Sequence, residues 1–223
     1  MKTIDPKALM EAGVHYGYSR TRRNPTVTKF LYGTKDKIDI IDLEKTIPQM
    51  EAAGKFLAEL SAGGKTVLFI GVKPEARSAI QETAGLLRQP YVTERWIGGI
   101  LTNFGEIKRR IQKLEEMKEK RASGEYEKFT KKEQLLLNRE LDRLNKYFSG
   151  LVGMSKLPDA VVVVDSKKEH IAIAEARKVN IPIVAIGNTD CSVRAIQYPI
   201  IANDSSVSSI SAILAILKDA FQQ

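Results

Sequence analysis

Two stretches of this chain hold residues whose types and spacing could do chemistry. The first is Val14-His-Tyr-Gly-Tyr-Ser-Arg-Thr-Arg-Arg-Asn-Pro25, in which Tyr16 and Tyr18 lead into Arg20, Arg22, Arg23 and Asn24, with Lys29 just beyond. Guanidinium groups bind phosphate and aromatic rings stack on exposed bases, so this mixture suits an RNA-binding loop. Three arginines within four residues also repel one another unless an anion lies among them. The second stretch is Arg95-Trp-Ile-Gly-Gly-Ile-Leu-Thr-Asn-Phe104, which contains the only tryptophan. Gly98 and Gly99 permit a tight turn or a close backbone approach. The segment continues into Lys108 and Arg109. The expectation is that Arg20, Arg22, Arg23, Lys29, Arg95, Lys108 and Arg109 contact phosphates. Tyr16, Tyr18 or Trp96 would stack or wedge, with Asn24 and Asn103 as polar contacts in the same RNA-binding set.

Catalytic chemistry is harder to place. His15 and His170 are the only histidines, and neither has a neighbour at metal-ligand spacing. Cys191 is the single cysteine, and no sequence feature pairs it with a histidine. Gly64-Lys65-Thr66 fails as a phosphate-binding loop, because position 59 is glutamate and the segment enters a strand rather than opening a helix. The turn Val72-Lys73-Pro74 lacks a G-x-G-x-x-G pattern, and Pro74 removes an amide donor. Asp165, at the end of an apolar run, could meet a ribose or a metal but reads as a cap. The other carboxylates are mostly expected on helix surfaces. The residues therefore point to no catalytic group, no cofactor, no metal and no small-molecule substrate.

Charge supports a polyanionic partner. The 223 residues carry a net charge of +8, with 35 Lys and Arg against 27 Asp and Glu. Residues 1–37 hold eight basic against three acidic side chains, and residues 104–149 hold thirteen against nine. Residues 38–103 hold seven against eight, and 150–223 seven against seven. The excess thus sits in an N-terminal arm and a helical excursion, a pattern that suits nucleic acid. The excursion lacks the one-sided basic, aromatic-rich face of a membrane-lying helix, so no membrane partner is expected. No run of about 18 apolar residues or secretory leader pattern is seen, and one cysteine suits a reducing compartment; a cytoplasmic protein is expected.

The elements that must position these residues follow from periodicity. Asp5-Pro6 starts a short helix that ends at Gly13. Phe30–Gly33 and Lys37–Ile41 read as a strand pair. Thr46-Ile-Pro-Gln49 reads as a capping box opening a helix that stops at Gly63-Gly64. Thr66–Gly71 is a continuous apolar strand, followed by a helix with Ala76, Ala79, Ile80, Ala84 and Leu87 on one face and a short strand at Pro90–Val92. Thr102 or Asn103 caps a helix with Ile107, Ile111, Leu114 and Met117 on its stripe. A second capping box, Thr130-Lys-Lys-Glu133, opens a helix with Leu137, Leu141, Leu144 and Phe148. These two narrow stripes predict an antiparallel hairpin. Ala160–Asp165 and Ile183–Ile186 are buried strands joined by a helix that Ser166-Lys-Lys-Glu169 caps, and a last helix starts near Ser205 or Ser206. The expected fold is α/β, with an α/β core over residues 1–103 and 150–223, a basic N-terminal arm and a coiled-coil-like hairpin insertion over 104–149.

Read together, several motifs closely resemble the bacterial-type ribosomal protein S2 family. They are Glu11-Ala-Gly-Val-His-Tyr-Gly17, Lys37-Ile-Asp-Ile-Ile-Asp-Leu43, Arg95-Trp-Ile-Gly-Gly-Ile-Leu-Thr-Asn-Phe104, Lys131-Lys-Glu133, Leu157-Pro-Asp-Ala160, Lys167-Lys-Glu-His170 and Glu175-Ala-Arg-Lys178. The likeness covers almost the whole chain in order. It implies a flavodoxin-like three-layer α/β/α core with a mainly parallel sheet and a protruding antiparallel helical hairpin. It also implies a structural, non-enzymatic component of the small ribosomal subunit, set between head and body. Implied partners are small-subunit rRNA and neighbouring small-subunit proteins, among them the multi-OB-domain protein that recruits messenger RNA. The chain departs from the family pattern at Tyr18 (usually His), Arg23 (usually Trp), Gly71-Val-Lys-Pro74, Asn188-Thr-Asp-Cys-Ser-Val193 and Ile201-Ala-Asn-Asp-Ser-Ser206. Several acids opposite His15 are thereby missing, which leaves open any partner or metal contact through that surface. Two other readings of the residues stand beside this one: a free RNA-binding regulator, and a nucleotide-dependent enzyme on a doubly wound core.

Overall fold

The computed structural model describes residues 4–222. Asp5 caps α1 (Pro6–Glu11) as expected, its carboxylate accepting from the Lys7 N–H, and Gly13 takes the positive φ of 74° that ends the turn. A small antiparallel sheet follows, with β1 (Tyr16–Ser19), β2 (Leu31–Lys35) and β3 (Ile38–Ile41) in the order β1-β3-β2. The strand pair was legible, and Asp36 and Lys37 close it with φ values of 50° and 65°, the sense a two-residue hairpin needs. Strand β1 was not. Tyr-Gly-Tyr-Ser carries no apolar alternation, and only its pairing with β3 makes it a strand.

The main sheet has five parallel strands: β4 (Val67–Ile70), β5 (Tyr91–Val92), β6 (Ala160–Val164), β7 (Ile183–Gly187) and β8 (Tyr198–Ile201). Their order is β5-β4-β6-β7-β8, the flavodoxin-like arrangement, with its switch point between β4 and β6. Every residue of β4, β6 and β7 is buried, which is why these strands read as unbroken apolar runs. On one face Val67, Phe69, Val162, Val164, Val184 and Ile186 pack under α2 (Leu43–Ala62), α3 (Pro74–Leu87) and α7 (Val207–Phe221). On the other, Leu68, Ile70, Val161, Val163 and Ala185 pack under α6 (His170–Lys178), the Trp96–Leu101 loop and the helices α4 (Phe104–Ala122) and α5 (Lys131–Phe148).

Helices α4 and α5 pack against each other through Ile107, Ile111, Leu114, Met117, Leu141, Leu144 and Phe148. The Thr130–Glu133 capping box forms as expected, and Lys113 reaches Glu140 across the pair at 3.2 Å. The apolar stripe belongs to the same core as the sheet, so the base of the hairpin is part of that layer.

Three further elements depart from expectation. Helix α2 starts at Leu43, capped by Asp42, so Thr46 and Gln49 are not a capping box and Pro48 lies inside the helix. Their side chains serve the edge strand instead. Thr46 Oγ1 donates to the Ile201 carbonyl and the Ile201 N–H donates to Gln49 Oε1, both at 2.8 Å. This satisfies backbone groups that β8 turns away from β7. Strand β8 itself was missed because Pro199 suppresses the strand signal; here the proline falls in phase with Ile201, where no N–H to β7 is needed. Finally, Ser166–Glu169 form a turn rather than a cap, with Asp165 at φ 67° accepting from the Lys168 N–H, and α6 begins at His170.

The base of the hairpin gives a direct test. A Cβ built on Gly150 would lie 2.3 Å from the Tyr91 carbonyl oxygen and 2.8 Å from its ring. Gly150→Ala should lower stability by about 1–3 kcal/mol in urea titration; an unchanged midpoint would mean this junction is loosely docked.

Candidate nucleic-acid interface

The Arg95–Asn103 segment leaves the carboxyl end of β5 and is organised by a carboxylate far along the chain. Glu175, on α6 and only 9% exposed, accepts five hydrogen bonds from this turn. Its Oε1 takes Trp96 Nε1–H at 3.1 Å and the Gly99 N–H at 2.8 Å; its Oε2 takes the N–H groups of Leu101 and Thr102 and the Thr102 hydroxyl at 3.1–3.2 Å. Gly99 holds φ at 98°, a conformation that a side chain would strain. Burial alone would raise the Glu175 pKa, but donors from Gly99, Trp96, Thr102 and Leu101 outweigh it and hold the carboxyl below its ordinary range. The turn is therefore fixed by a charge-assisted cluster, and α4 departs from it in a set direction.

The N-terminal arm is fixed to the same carboxyl edge of the sheet. Lys73, after β4, places its ammonium 3.3 Å from both Asp165, after β6, and Asp204, after β8. The Tyr18 hydroxyl closes the group, accepting from Lys73 at 3.2 Å and from Ser205 at 2.7 Å and donating to Asp204 at 3.2 Å. Burial opposes a charged Lys73, but Asp204, Tyr18 and Asp165 outweigh it and keep the ammonium charged. Gly17 is pinned between Thr189 and Asp39, where a Cβ would meet Thr189 Cγ2 at 2.6 Å and the Asp39 carbonyl at 2.8 Å. Nearby, Glu169 is nearly sealed, and burial pushes its pKa up to about 7. The switch-point crevice, where a doubly wound sheet would bind a nucleotide, is occupied by the chain's own side chains. Among the described residues no cluster of three His, Cys, Asp or Glu is placed to hold a metal ion.

The expected RNA-binding residues sort by what they already touch. Arg20, Lys29, Arg95 and Lys108 are exposed and make no ion pair among the described residues. Arg109 is 81% exposed and only loosely paired with Glu106. Tyr16 is half exposed, its ring against His15, and Asn103 is exposed with no side-chain bond to the helix it precedes. Arg22 lies over the Tyr18 ring and reaches Asp190 at 3.1 Å, leaving half its surface free. Asn24 caps a short 3-10 turn.

Three of these residues are committed inside the protein, which corrects their reading. Arg23 is not a free phosphate ligand: its fork grips the fully buried Asp39 through Nε at 2.7 Å and through Nη2, which also donates to Thr34. Trp96 does not stack on bases, because it is 8% exposed and its indole is committed to Glu175. Tyr18 has its ring under Arg22 and its hydroxyl in the Lys73 group, so its role is internal. Most carboxylates stay outside the core, but five that sequence reasoning did not single out as buried, Asp39, Glu169, Glu175, Asp190 and Asp204, lie within it. One signal could have revealed Glu175: it interrupts the apolar stripe of α6 formed with Ala172, Ala176 and Val179.

The geometry defines a three-layer doubly wound α/β protein with a self-filled switch-point crevice and unpaired cations around it. Comparison with known proteins is consistent with that class. The family model described as ribosomal protein S2 matches residues 9–223. Curated relatives, each called small ribosomal subunit protein uS2, include one from Coprothermobacter proteolyticus, 46% identical over 99% of this chain and 82% of its own. Another from Wolinella succinogenes is 42% identical over 99% and 81%, and one from Micrococcus luteus 41% over 99% and 78%. The chain belongs to the ribosomal protein S2 family.

Glu175 and Glu169 should respond to amidation with opposite signs. Glu175→Gln faces several N–H donors with an amide and should cost about 2–4 kcal/mol near neutral pH. Because the folded pKa lies below the ordinary 4.5, the carboxylate's contribution is present above pH 4.5 and is lost as pH falls through the folded value. Glu169→Gln should be neutral at pH 4 and stabilising by about 1–2 kcal/mol above pH 7, since ionising the native carboxyl opposes folding as pH rises past 4.5. Denaturant titrations across pH would show both; parallel curves for the two variants would contradict the assignment.

Proposed function

We propose that this protein is a structural component of the small ribosomal subunit, acts in translation and is not an enzyme. Its family membership carries the reading, and the names of its relatives give the assembly. Within that role we read the carboxyl edge of the sheet as the rRNA surface. The support is a set of exposed cations: Arg20 and Lys29 from the arm and Arg95 and Lys108 from the turn and the start of α4, which make no ion pair among the described residues, with the partly paired Arg22 and Arg109 and with Tyr16, Asn24 and Asn103 beside them. Such contacts recruit phosphate without reading sequence. The core is the unit 1–103 with 150–223, and 104–149 is its hairpin insertion. A position between head and body, and docking of the multi-OB-domain messenger-recruiting protein, complete the reading and rest on the family resemblance.

The direct test is sedimentation of native lysate through sucrose at low and high salt. Stoichiometric migration with small subunits at low salt is expected, and migration near the top at both would contradict the assignment. Reversing Arg95 and Lys108 to glutamate should cut incorporation at least tenfold while leaving the thermal midpoint unchanged. Arg23→Glu should lose incorporation by unfolding the arm, because it buries a second carboxylate beside Asp39. Normal incorporation of the Arg95/Lys108 variant would place the interface elsewhere.

A further inference from the structure

A pair of helices has a groove on either side of its seam, and in this hairpin the two grooves differ. Helices α4 and α5 bury Ile111, Leu114, Met117, Leu141 and Leu144 along the seam. One groove is closed by ions: Lys113 reaches across to Glu140 at 3.2 Å, and Arg143 joins the same carboxylate at 2.7 Å. The other stays open. Lys118, Arg121 and Ala122 of α4 and Leu141, Asp142 and Asn145 of α5 line about 430 Å3 of space. With about 3.6 residues per turn, Glu140 falls on one flank of the Leu141, Leu144, Phe148 stripe and Asp142 and Asn145 on the other, so the two grooves are distinct. Lys118 and Arg121 are exposed and make no ion pair among the described residues, and Asp142 is the one carboxylate on the lining.

The α5 wall of the open groove continues toward the tip. Leu135 stands two turns before Asp142 on the same face of the helix and is 51% exposed, with Leu136 beside it at 54%. Leucines so placed add nothing to the core, and apolar side chains gathered on an outer helix face mark a contact. The surrounding charges set the sign of that contact. Lys131, Lys132 and Arg139 lie within one turn of these leucines, are exposed, and make no ion pair among the described residues. The Lys131-Lys-Glu133 motif therefore divides: Glu133 is spent on the Thr130 cap, and both lysines are left over.

A second copy of this chain does not suit the groove, since residues 104–149 hold thirteen basic against nine acidic side chains and would meet like charge. A nucleic-acid backbone carries charge at every residue and cannot avoid Asp142, and leucines offer a base no ring to stack on. A protein segment can set carboxylates against Lys118, Arg121 and Lys131 while laying apolar side chains on Leu135 and on Ala122 and Leu141. We propose that the open groove docks an acidic amphipathic helix of a neighbouring small-subunit protein, completing a three-helix bundle with α4 and α5. It rests on the reading of the chain as a subunit component and gives the hairpin a role separate from the rRNA edge.

The test uses purified small subunits carrying the full chain with a benzophenone side chain in place of Leu135, irradiated and digested for mass spectrometry. The expected adduct joins position 135 to one other protein, in a segment with Asp or Glu at helical spacing beside an apolar residue. Lys118→Glu with Arg121→Glu should lower its yield about tenfold, with incorporation and the thermal midpoint of the free protein unchanged. Lys113→Ala, in the closed groove, should leave the yield as it was. If the chain is absent from subunits, the functional reading fails and the proposal falls with it. If the chain is present, the docking proposal alone is overturned by any of four results: no adduct, an adduct with rRNA, one with a basic segment, or a yield that ignores the Lys118 and Arg121 reversals.

Discussion

One buried carboxylate sets the geometry on which the rest of this structure depends. Glu175 is an ion in a nearly sealed place, and it is stable there only because five donors converge on it. All five donors come from four residues, Trp96, Gly99, Leu101 and Thr102, so a single residue of α6 fixes the turn between β5 and α4. The consequences run in both directions. Toward the core, Trp96, Ile100 and Leu101 are drawn into the layer beneath α6. Toward solvent, Arg95 and Asn103 are left on either side of the turn, and Lys108 and Arg109 follow on a helix whose entry is fixed.

A second constraint does the same for the arm. In a doubly wound sheet the strand ends diverge at the switch point and leave a crevice that commonly takes a nucleotide. Here an internal cation, Lys73, sits among Asp165 and Asp204, and Tyr18 closes over it. The crevice thereby becomes a joint that ties residues near the start of the chain to three strand ends. Asn188 is part of this joint, its amide donating to Asp204 at 3.3 Å. Tyr18 and Asn188 thus act together on one carboxylate. The fold keeps the architecture of a cofactor-binding domain and uses its functional edge for attachment.

What was legible in the sequence, and what was not, divides on this line. Strands buried on both faces, the Thr130 capping box and the hairpin stripes are local patterns, so residues a few positions apart reveal them. Strands β1 and β8 escaped because their identity lies in partners far along the chain, and Pro199 actively masks one of them. The site residues were chosen by type, and type alone cannot tell a committed cation from a free one. Arg22 and Arg23 are adjacent, yet one keeps half its surface while the other is spent on Asp39. Trp96 was chosen for its chemistry and serves the core. The carboxylates Asp39 and Glu175, which decide these outcomes, stand about 16 and 79 residues from the groups they hold.

The central claim is that the carboxyl edge of the sheet, with the arm and the Glu175-held turn, is the face presented to rRNA. A cryo-electron microscopy map of small subunits that contain this protein would test it most directly. The account predicts RNA density against Arg20, Arg95 and Lys108, with Trp96 still buried on Glu175. RNA density confined to the opposite, amino-terminal edge of the sheet, with those three side chains in solvent, would contradict it.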